Sequence, residues 1–353
     1  MRLGYLKDKT RINEVMLLVA KVFYNGDKEK IFIPKLNLKA NNIIIMENDQ
    51  SLIIGACIIV ERELFMHGKL MKASFLSFVC IDEEYRGHGL SRKLINYTIK
   101  ECKKRKHIIS LVIARKLVDN FYQKFNFFGI SQYSNIKLNL NVNNSKKKFS
   151  FHDLKEIFFQ EINNIYNSTY SKTLGAFKRD KNYWSYINQK ANSLGLNTQA
   201  IMKNKHLQGY LIFDKKRVYE IALRDKINYL DVLSELALVN KIDKEININC
   251  SLEHPINLWT NNIDYSISMR QCNFGGHMVR INDWKYLKKN LSRQIDKRLK
   301  MLSSIKNDVN LIDMQDINYE NASLLLTSNI LSSSNYSRDS LFKSFNIPLM
   351  DQI

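Results

Sequence analysis

Apolar and polar positions at the start of the chain predict a helix followed by a pair of strands. Thr10 can cap the helix, because apolar residues recur after it at spacings of three and four. These residues are Ile12, Val15, Val19 and Phe23. The apolar runs 52–60 and 70–81 predict two strands, and the dipeptide His67-Gly68 between them predicts a turn.

The alternation of helix and strand continues to about residue 140. The stretch from Gly89 to Arg105 has helical spacing on one face, formed by Leu90, Leu94, Thr98 and Cys102. A strand over 108–114, a short helix over 117–125 and a strand over 134–140 are predicted next. This order predicts an α/β or α+β domain with a mixed sheet.

A second region repeats this pattern after a polar, basic stretch at 141–150, which predicts a linker. An amphipathic helix is predicted from Leu154, Ile157, Phe158, Ile162 and Ile165. Residues 207–223 predict a hairpin, and a helix over 228–240 and a strand over 245–250 follow. Since the order of elements matches that of the first region, we predict a repeated fold.

The last part of the chain predicts a short strand at 278–281 and a basic helix at 284–302. The apolar stripe of this helix is Trp284, Leu287, Leu291, Ile295, Leu299 and Leu302. A membrane surface or a nucleic acid could bind such a helix. A packed helix with lysines on its outer face fits the pattern better. The apolar end of the chain, 340–353, predicts a docked segment.

Composition narrows the classes of function. A chain of 353 residues is long enough for two or three domains, and its 45% apolar and 25% charged residues are typical of a globular protein. The net charge of +20 favours either a polyanionic partner or lysines spread over solvated faces. Because the chain has no recognisable nucleic-acid motif, we prefer the second interpretation and expect no nucleic-acid partner.

The chain has five cysteines, an odd number, without a CxxC pair, and seven scattered histidines. These counts argue against a disulfide framework and against a metal site. Its apolar runs are too short to cross a bilayer, and its N-terminus has no apolar segment typical of a secretory signal. We therefore expect no membrane span and a cytoplasmic location.

The sequence Arg86-Gly87-His88-Gly89 lies between the strand 70–81 and the helix that follows. A helix N-terminus presents unpaired N–H groups and a partial positive charge, and glycines let an anion approach the backbone. The spacing is neither that of a dinucleotide-binding fingerprint nor that of a P-loop. The turn is nevertheless a candidate phosphate site, to which Arg86 and a protonated His88 can add charge.

Residues 79–91 (VCIDEEYRGHGLS) resemble motif A of the GNAT superfamily of N-acetyltransferases. Residues 118–130, with the pair Phe121-Tyr122, resemble the downstream signature of that superfamily. The resemblance implies a mixed-sheet GNAT acyltransferase fold and acetyl-CoA as the cofactor, without a metal. The implied cofactor-binding residues are Val79, Cys80, Ile81, Arg86, Gly87, His88, Gly89, Leu90 and Ser91.

Most of the chain is also similar to the Eis-type acetyltransferases. That similarity implies a GNAT acetyl-CoA-binding catalytic domain over 1–142, a degenerate GNAT-like domain over 150–275 and a small, shortened sterol-carrier-like α+β domain over 276–353. It also implies a homo-oligomer, a trimer or hexamer. The sequence departs from the family pattern at two positions. Ser91 stands where glycine or alanine is usual, and Asn126 stands where glycine is usual.

The resemblance implies an N-acetyltransferase that passes an acetyl or acyl group directly to a primary amine of a small molecule, an amino-sugar or a peptide. Tyr122 matches the acid that protonates the leaving thiolate, and the terminal carboxylate of Ile353 matches the base. Glu61 and Glu63 are alternative bases. An acyl-cysteine at Cys80 is disfavoured, since apolar surroundings raise the pKa of a thiol.

Two other functions stay open from the sequence. One is a CoA-binding regulatory or scaffold protein with weak or no catalysis, which the departures at Ser91 and Asn126 favour. The other is a nucleic-acid-associated protein, which rests on the net charge and the basic helix alone.

Overall fold

The computed structural model describes residues 1–29, 31, 38–114, 118–140, 148–239, 241–251, 253–259, 265–271, 276–293 and 347–351. The first region, residues 1–140, contains β1 (Arg2–Tyr5), α1 (Ile12–Phe23), β2 (Ile43–Glu47), β3 (Ile53–Met66), β4 (Lys69–Ile81), α2 (Leu90–Lys104), β5 (Ile109–Ala114), α3 (Asp119–Gln123) and β6 (Phe128–Asn139).

The second region, residues 148–259, contains β7 (Ser150–Asp153), α4 (Phe159–Tyr170), α5 (Lys181–Ser193), β8 (Asn197–Lys203), β9 (His206–Phe213), β10 (Arg217–Leu223), α6 (Tyr229–Leu238) and β11 (Glu245–Cys250). After it come β12 (Tyr265–Gln271), β13 (Gly276–Ile281) and helical residues 284–293. The structure therefore confirms the predicted strand at 278–281 and the described part of the predicted helix at 284–302.

The strands are hydrogen-bonded in the order β1-β2-β3-β4-β5-β13-β6-β11-β10-β9-β8-β7, and β12 also pairs with β6. Two of the pairings are parallel, β4 with β5 and β10 with β11. The remaining described pairings between these strands are antiparallel. The predicted mixed α/β fold is confirmed.

Alternate residues of β3 face opposite sides of the sheet, as the pleat requires. Cys57 and Ile59 pack in the cluster that contains Leu94 of α2, whereas Ala56 and Ile58 pack in the cluster that contains Val19 of α1. The two helices therefore cover the two faces of the first sheet. A separate cluster of buried residues packs α6 against β10 and β11 in the second region.

The two regions repeat one pattern of strands. In the first region β2, β3 and β4 pair antiparallel in succession, α2 crosses over, and β5 pairs parallel to β4. The second region repeats this order with β8, β9, β10, α6 and β11. Each repeat has a glycine opposite the last residue of its third strand, Gly55 opposite Ile81 of β4 and Gly209 opposite Leu223 of β10. A Cβ would lie 2.6 Å from the Ile81 side chain at Gly55 and 2.3 Å from the Ala222 carbonyl oxygen at Gly209. The predicted repeat is confirmed.

Several local predictions were wrong. Asp8 caps the 3-10 turn Lys9–Arg11 that leads into α1, by accepting the N–H of Thr10. The N-cap of α1 itself is Arg11, which makes no side-chain capping bond, so Thr10 is not the cap. The second region begins with β7 at Ser150, inside the predicted linker, of which residues 141–147 lie outside the described part. The helix predicted from Leu154 onward begins only at Phe159, and Ile157 is 79% exposed.

β13 lies between β5 and β6, the two last strands of the first region. It runs antiparallel to β5 from the pair Gly276–Ala114 to the pair Ile281–Ile109, and it meets β6 at Gly129 and Phe128. The domain boundaries given above stay a prediction. The sheet of the first region nevertheless includes a strand from residues that were assigned to the third domain.

The end of the described chain is docked, as the sequence predicted. Ile347, Met350 and Asp351 are buried. Asp351 pairs with Arg179 at 3.0 Å, and Arg179 also pairs with Glu220 at 2.5 Å, all three side chains being fully buried.

No helix within the described residues is long and apolar enough to cross a membrane. Nor does the described part of the chain bring together three or more His, Cys, Asp or Glu residues in an arrangement that could hold a metal ion.

Candidate functional site

The candidate site is a cavity of about 760 Å³ where β4 and β5 separate. The two strands run side by side, but their pairing covers only Ala73–Phe75 and Ile109–Leu111. Beyond these residues, Leu76 and Val79 of β4 and Val112 of β5 line the cavity. A gap between two parallel strands of one sheet is thus open to a ligand.

An irregularity in β4 lies beside the cavity. Cys80 pairs with Ala56 and Ser77 pairs with Ile58, so that Phe78 and Val79 together stand opposite the single residue Cys57. Phe78 has a φ of +51°, which is rare for a residue with a side chain. Such a bulge redirects backbone groups out of the ladder. It lies in the segment that contains Val79, Cys80 and Ile81, three of the cofactor-binding residues that the resemblance implies.

The turn from β4 to α2 forms one end of the cavity. Gly87 and Gly89 have φ values of +89° and +71°, which explains why two glycines occur so close together. Gly89 is the N-cap of α2 and gives it no side-chain cap. A Cβ at either glycine would meet nothing within 4 Å. The first N–H groups of α2 therefore face open space, as a phosphate site requires.

Positive charge surrounds this turn. The Nε of Arg86 donates to the carbonyl oxygen of Ile81 at 3.2 Å, and Nη1 lies 3.4 Å from Glu83 Oε1, so the side chain is held at the end of β4. Behind the turn lies a second groove of about 430 Å³, lined among others by His88, Arg92, Lys93 and Lys124. An extended anionic ligand would find cations on both sides of the helix N-terminus.

Tyr122 lies on α3 and lines the same cavity. It is 7% exposed, and its ring meets the rings of Phe121 and Phe127 with centroids 5.2 and 5.9 Å away. Burial, and then the nearby thiols of Cys57 and Cys80, raise the pKa of the Tyr122 phenol above its ordinary value. The phenol therefore keeps its proton at neutral pH and can donate it.

Cys80 also lines the cavity, but its chemistry is unsuited to covalent catalysis. The side chain is 4% exposed, and burial raises the pKa of its thiol to about 12. A nucleophilic cysteine needs the thiolate, which such surroundings disfavour.

The cavity brings together nine of the eleven predicted site residues: Val79, Cys80, Ile81, Arg86, Gly87, Gly89, Leu90, Ser91 and Tyr122. His88 lies in the adjacent groove. Ile353 lies outside the described residues. Glu61 and Glu63 line a different cavity and pair with Arg105 and Lys178, each at 2.9 Å.

Sequence reasoning missed several residues of the site. Phe23 and Val112 were assigned to apolar faces of a helix and a strand, and both also line the cavity. Lys124, in the neighbouring groove, follows Tyr122 by two positions, so a basic residue beside the downstream signature was an available signal. Asn126 has a φ of +60°, so asparagine adopts there the backbone conformation for which the family pattern uses glycine.

Residues 6–130 match the family model described as acetyltransferase (GNAT) domain. A GCN5-related N-acetyltransferase from Anabaena variabilis is 17% identical with a TM-score of 0.64, and the match covers 80% of this chain and 73% of that one. A conserved protein from Enterococcus faecalis, described as a probable N-acyltransferase, is 14% identical with a TM-score of 0.61, covering 80% and 72%. Eis1 from Mycobacterium abscessus is 10% identical with a TM-score of 0.57, covering 80% and 73%. No curated protein sequence matches the chain.

At these identities the solved structures show a shared fold, and the family model adds the type of domain. The matched segment contains the strand pair that separates, the glycine turn and the tyrosine of α3. Residues 6–130 are therefore similar in sequence to an acetyltransferase (GNAT) domain, and the chain has the GNAT acyltransferase fold.

Proposed function

We propose that the protein is an acetyl-CoA-dependent N-acetyltransferase, which passes the acetyl group directly to a primary amine of a small molecule, an amino-sugar or a peptide. One observation carries the proposal: the uncapped N-terminus of α2 opens onto the cavity between β4 and β5. In acetyl-CoA the acetyl thioester is at one end of a long pantetheine chain, whose other end is joined to the nucleoside through a diphosphate. The turn supports the diphosphate, and the gap between the strands suits the chain.

The roles of the residues follow from this placement. The backbone at Arg86–Ser91 binds the diphosphate, and cations in the adjacent groove add attraction. N–H groups of Val79–Ile81 polarise the thioester carbonyl, because a buried donor aimed at a developing negative charge stabilises the transition state. Tyr122 gives its proton to the leaving thiolate.

Transfer to an amine also needs a base that takes its proton. Among the described residues that line the cavity there is no Asp, Glu or His. The terminal carboxylate of Ile353 stays the proposed base. A chain extended beyond Ile353 that retains full turnover would exclude it.

The proposal extends to the organisation of the chain. We propose an Eis-type order, with a catalytic domain, a degenerate second domain and a shortened sterol-carrier-like domain over 276–353. The similar repeat of strands in the two regions supports the first two parts. Most of the third part lies outside the described residues.

The test combines binding with turnover. Calorimetric titration with coenzyme A measures binding, and release of free thiol from acetyl-CoA in the presence of a panel of primary amines measures transfer. We expect saturable binding and amine-dependent thiol release. Binding without release with every amine would favour a CoA-binding regulatory protein, and the absence of binding would reject both functions.

A further inference from the structure

A third cavity, also of about 430 Å³ but separate from the groove beside the glycine turn, lies where the far end of β3 meets the segment that leads into α5. Backbone hydrogen bonds join β3 to this segment: Lys178 N donates to the Glu63 carbonyl oxygen and Phe65 N donates to the Ala176 carbonyl oxygen, each at 2.8 Å. None of the residues that line this cavity is among those that line the cavity between β4 and β5, so it is distinct from the candidate acyl-CoA site.

Most charges around this cavity already have partners. Glu61 pairs with Arg105 and Glu63 with Lys178, each at 2.9 Å. Arg179, which also lines the cavity, is neutralised by Glu220 and Asp351 as described above. Within the part of the chain that the structure describes, Arg62 and Lys72 have no carboxylate partner. Asp180, the remaining acidic residue of the lining, accepts the N–H of Tyr183 at the start of α5 instead of pairing with either cation. Arg62 and Lys72 are therefore the cations of the described lining that can pair with a bound anion.

The guanidinium of Arg62 has one edge engaged and one edge unused. Its Nη1 donates to the carbonyl oxygen of Glu61 at 2.9 Å, and its plane lies over the ring of Tyr183 at 4.8 Å. Its Nε and Nη2 are buried and meet no hydrogen-bond partner in the described structure. Buried donors left unsatisfied are costly, so such a pair calls for an acceptor.

The unused edge is the one that binds carboxylates and phosphates through two parallel hydrogen bonds. The same chain shows this geometry at Arg11, whose Nε and Nη2 donate to the two carboxylate oxygens of Glu14 at 2.9 and 2.8 Å. The shape of the unpaired edge of Arg62 thus specifies a planar or tetrahedral oxyanion.

His107 adds a second unused group to the same cavity. It is 4% exposed, and its Nδ1 is buried without a partner among the described residues. Its Nε2 lies 3.4 Å from Oε1 of Glu61, and because an ionised carboxylate only accepts hydrogen bonds, Nε2 carries the hydrogen. Nδ1 is then an acceptor, which a hydroxyl or an amine of a ligand can satisfy.

We propose that this cavity binds a small molecule that carries a carboxylate or phosphate group with a hydroxyl or amine beside it. The Nε–Nη2 edge of Arg62 binds the anion, Lys72 adds charge and Nδ1 of His107 accepts from the neighbouring donor. The volume suits a ligand of metabolite size. Since Arg62 and His107 belong to the first region and Tyr183 to the second, the ligand contacts both.

The proposal is tested on the full chain by nuclear magnetic resonance with ¹⁵N-labelled histidine. Of the seven histidine signals, those of His107 and His88 are assigned with the variants His107→Gln and His88→Gln. Inorganic phosphate and malate are the probes, which separate a phosphate site from a carboxylate site. We expect at least one of them to shift the His107 signal saturably.

The matched variants are Arg62→Lys and Arg217→Lys. Both remove an arginine that lies over a tyrosine ring, but Arg217 lies over Tyr219 on β10, away from the cavity. We expect Arg62→Lys, which keeps the charge and loses the two-donor edge, to raise the dissociation constant at His107 about tenfold or more. Arg217→Lys should leave it unchanged. Lys72→Gln, at an exposed position, should raise it about threefold.

Three outcomes would overturn the proposal: neither probe shifts His107, only His88 responds, or Arg62→Lys binds as the unsubstituted chain does. A response of His88 alone would mean that the anion binds only near the glycine turn. That result would leave the proposed acetyltransferase function intact, so the two proposals fail separately.

Discussion

The two regions share a pattern of strands and differ at the point where the third strand of the repeat, β4 or β10, is followed by a helix. In the first region the turn contains two glycines with positive φ, and α2 begins without a side-chain cap. In the second region the N-cap of α6 is Asn228, whose side chain accepts the N–H of Leu230 at 2.8 Å. One helix N-terminus is therefore open to a ligand, and the other is closed by its own chain.

The gap between the two parallel strands also differs, because it is open in the first region and filled by side chains in the second. β10 and β11 pair only at Arg217–Asn247 and Val218–Ile248 and then separate, as β4 and β5 do. Behind this point His254 donates from Nε2 to the Ile221 carbonyl oxygen at 2.9 Å, and its Nδ1 accepts the N–H of Ile256 at 3.2 Å.

Two tyrosines complete the filling of that gap. Tyr170 donates to the same carbonyl oxygen at 3.2 Å, and Tyr229 accepts the N–H of Leu223 at 3.3 Å. Both rings lie 5.4 Å from the ring of His254. The same arrangement of strands therefore leaves an open cavity in the first region and a packed core in the second, according to a few side chains at the end of one strand.

The largest expected effect concerns the tyrosine of the open gap. Tyr122→Phe removes the proposed acid while it keeps the buried ring, so we expect turnover to fall about 100-fold or more. Binding of coenzyme A, measured by calorimetry, should change little. Tyr229→Phe is the control in the closed gap, and it should leave turnover unchanged. Normal turnover of Tyr122→Phe would remove the assignment.

The closed gap should make the protein sensitive to acid. Burial lowers the pKa of His254 from its ordinary value of 6.5 to about 4. Between these two values His254 is protonated in the unfolded chain and neutral in the folded chain. Its contribution to the free energy of unfolding is therefore present above pH 6.5 and is lost as the pH falls towards 4. The expected loss between pH 7 and pH 5 is about 2 kcal/mol for this one group.

Denaturation with urea at the two pH values measures that loss. His254→Gln should reduce the difference between them by about 2 kcal/mol, whereas the exposed His88→Gln should not change it. The buried His277, whose pKa burial also lowers to about 4, should still contribute a part of the acid sensitivity in both variants. An identical pH dependence in His254→Gln and the unsubstituted chain would contradict the packing described here.

A side chain placed at the open turn should make it resemble the closed one. Asparagine tolerates positive φ, so Gly89→Asn is expected to fold and to place its side chain in the open space before α2. We expect coenzyme A to bind about tenfold more weakly, by calorimetry. Gly195→Asn is the matched control, with a φ of +68° and no atom within 4 Å of its Cβ. Equal affinities in both variants would mean that the turn does not hold the ligand.

The smallest expected effect comes from opening the closed turn. Asn228→Ala removes the side-chain cap of α6 and should lower the free energy of unfolding by about 1 kcal/mol. Binding of coenzyme A should be unchanged. If affinity for coenzyme A fell instead, the second region would take part in binding, against the comparison made above.

Much of the open site could be predicted from the sequence because its parts are local. The strand, the glycine turn and the helix occupy consecutive residues. A positive φ, such as that of Gly89, favours glycine, so this backbone conformation can be recognised from the residue type. The predicted limits of α2 and β4 differ from those of the structure by a residue at most. That Val112 of β5 lines the same cavity depends on the fold and was not visible in the sequence.

The parts that failed are those in which the partner lies far away in the chain. Nothing in residues 276–281 says that they lie beside β5, because an apolar run predicts a strand without its neighbours. His254 likewise looked like an isolated histidine, and only the structure shows that it fills a gap more than thirty residues after Ile221. Helix α5 was missed, since its tyrosines and asparagines give a weak apolar stripe.

The position of β13 has a consequence for how this protein is made. While the chain emerges from the ribosome, β5 is complete more than 150 residues before its neighbour Gly276–Ile281 is synthesised. During that interval the first region of the nascent chain exposes an unpaired strand edge, which is prone to aggregation. A fragment that stops at residue 142 would keep that exposed edge permanently, so the longer chain is the sounder choice for expression.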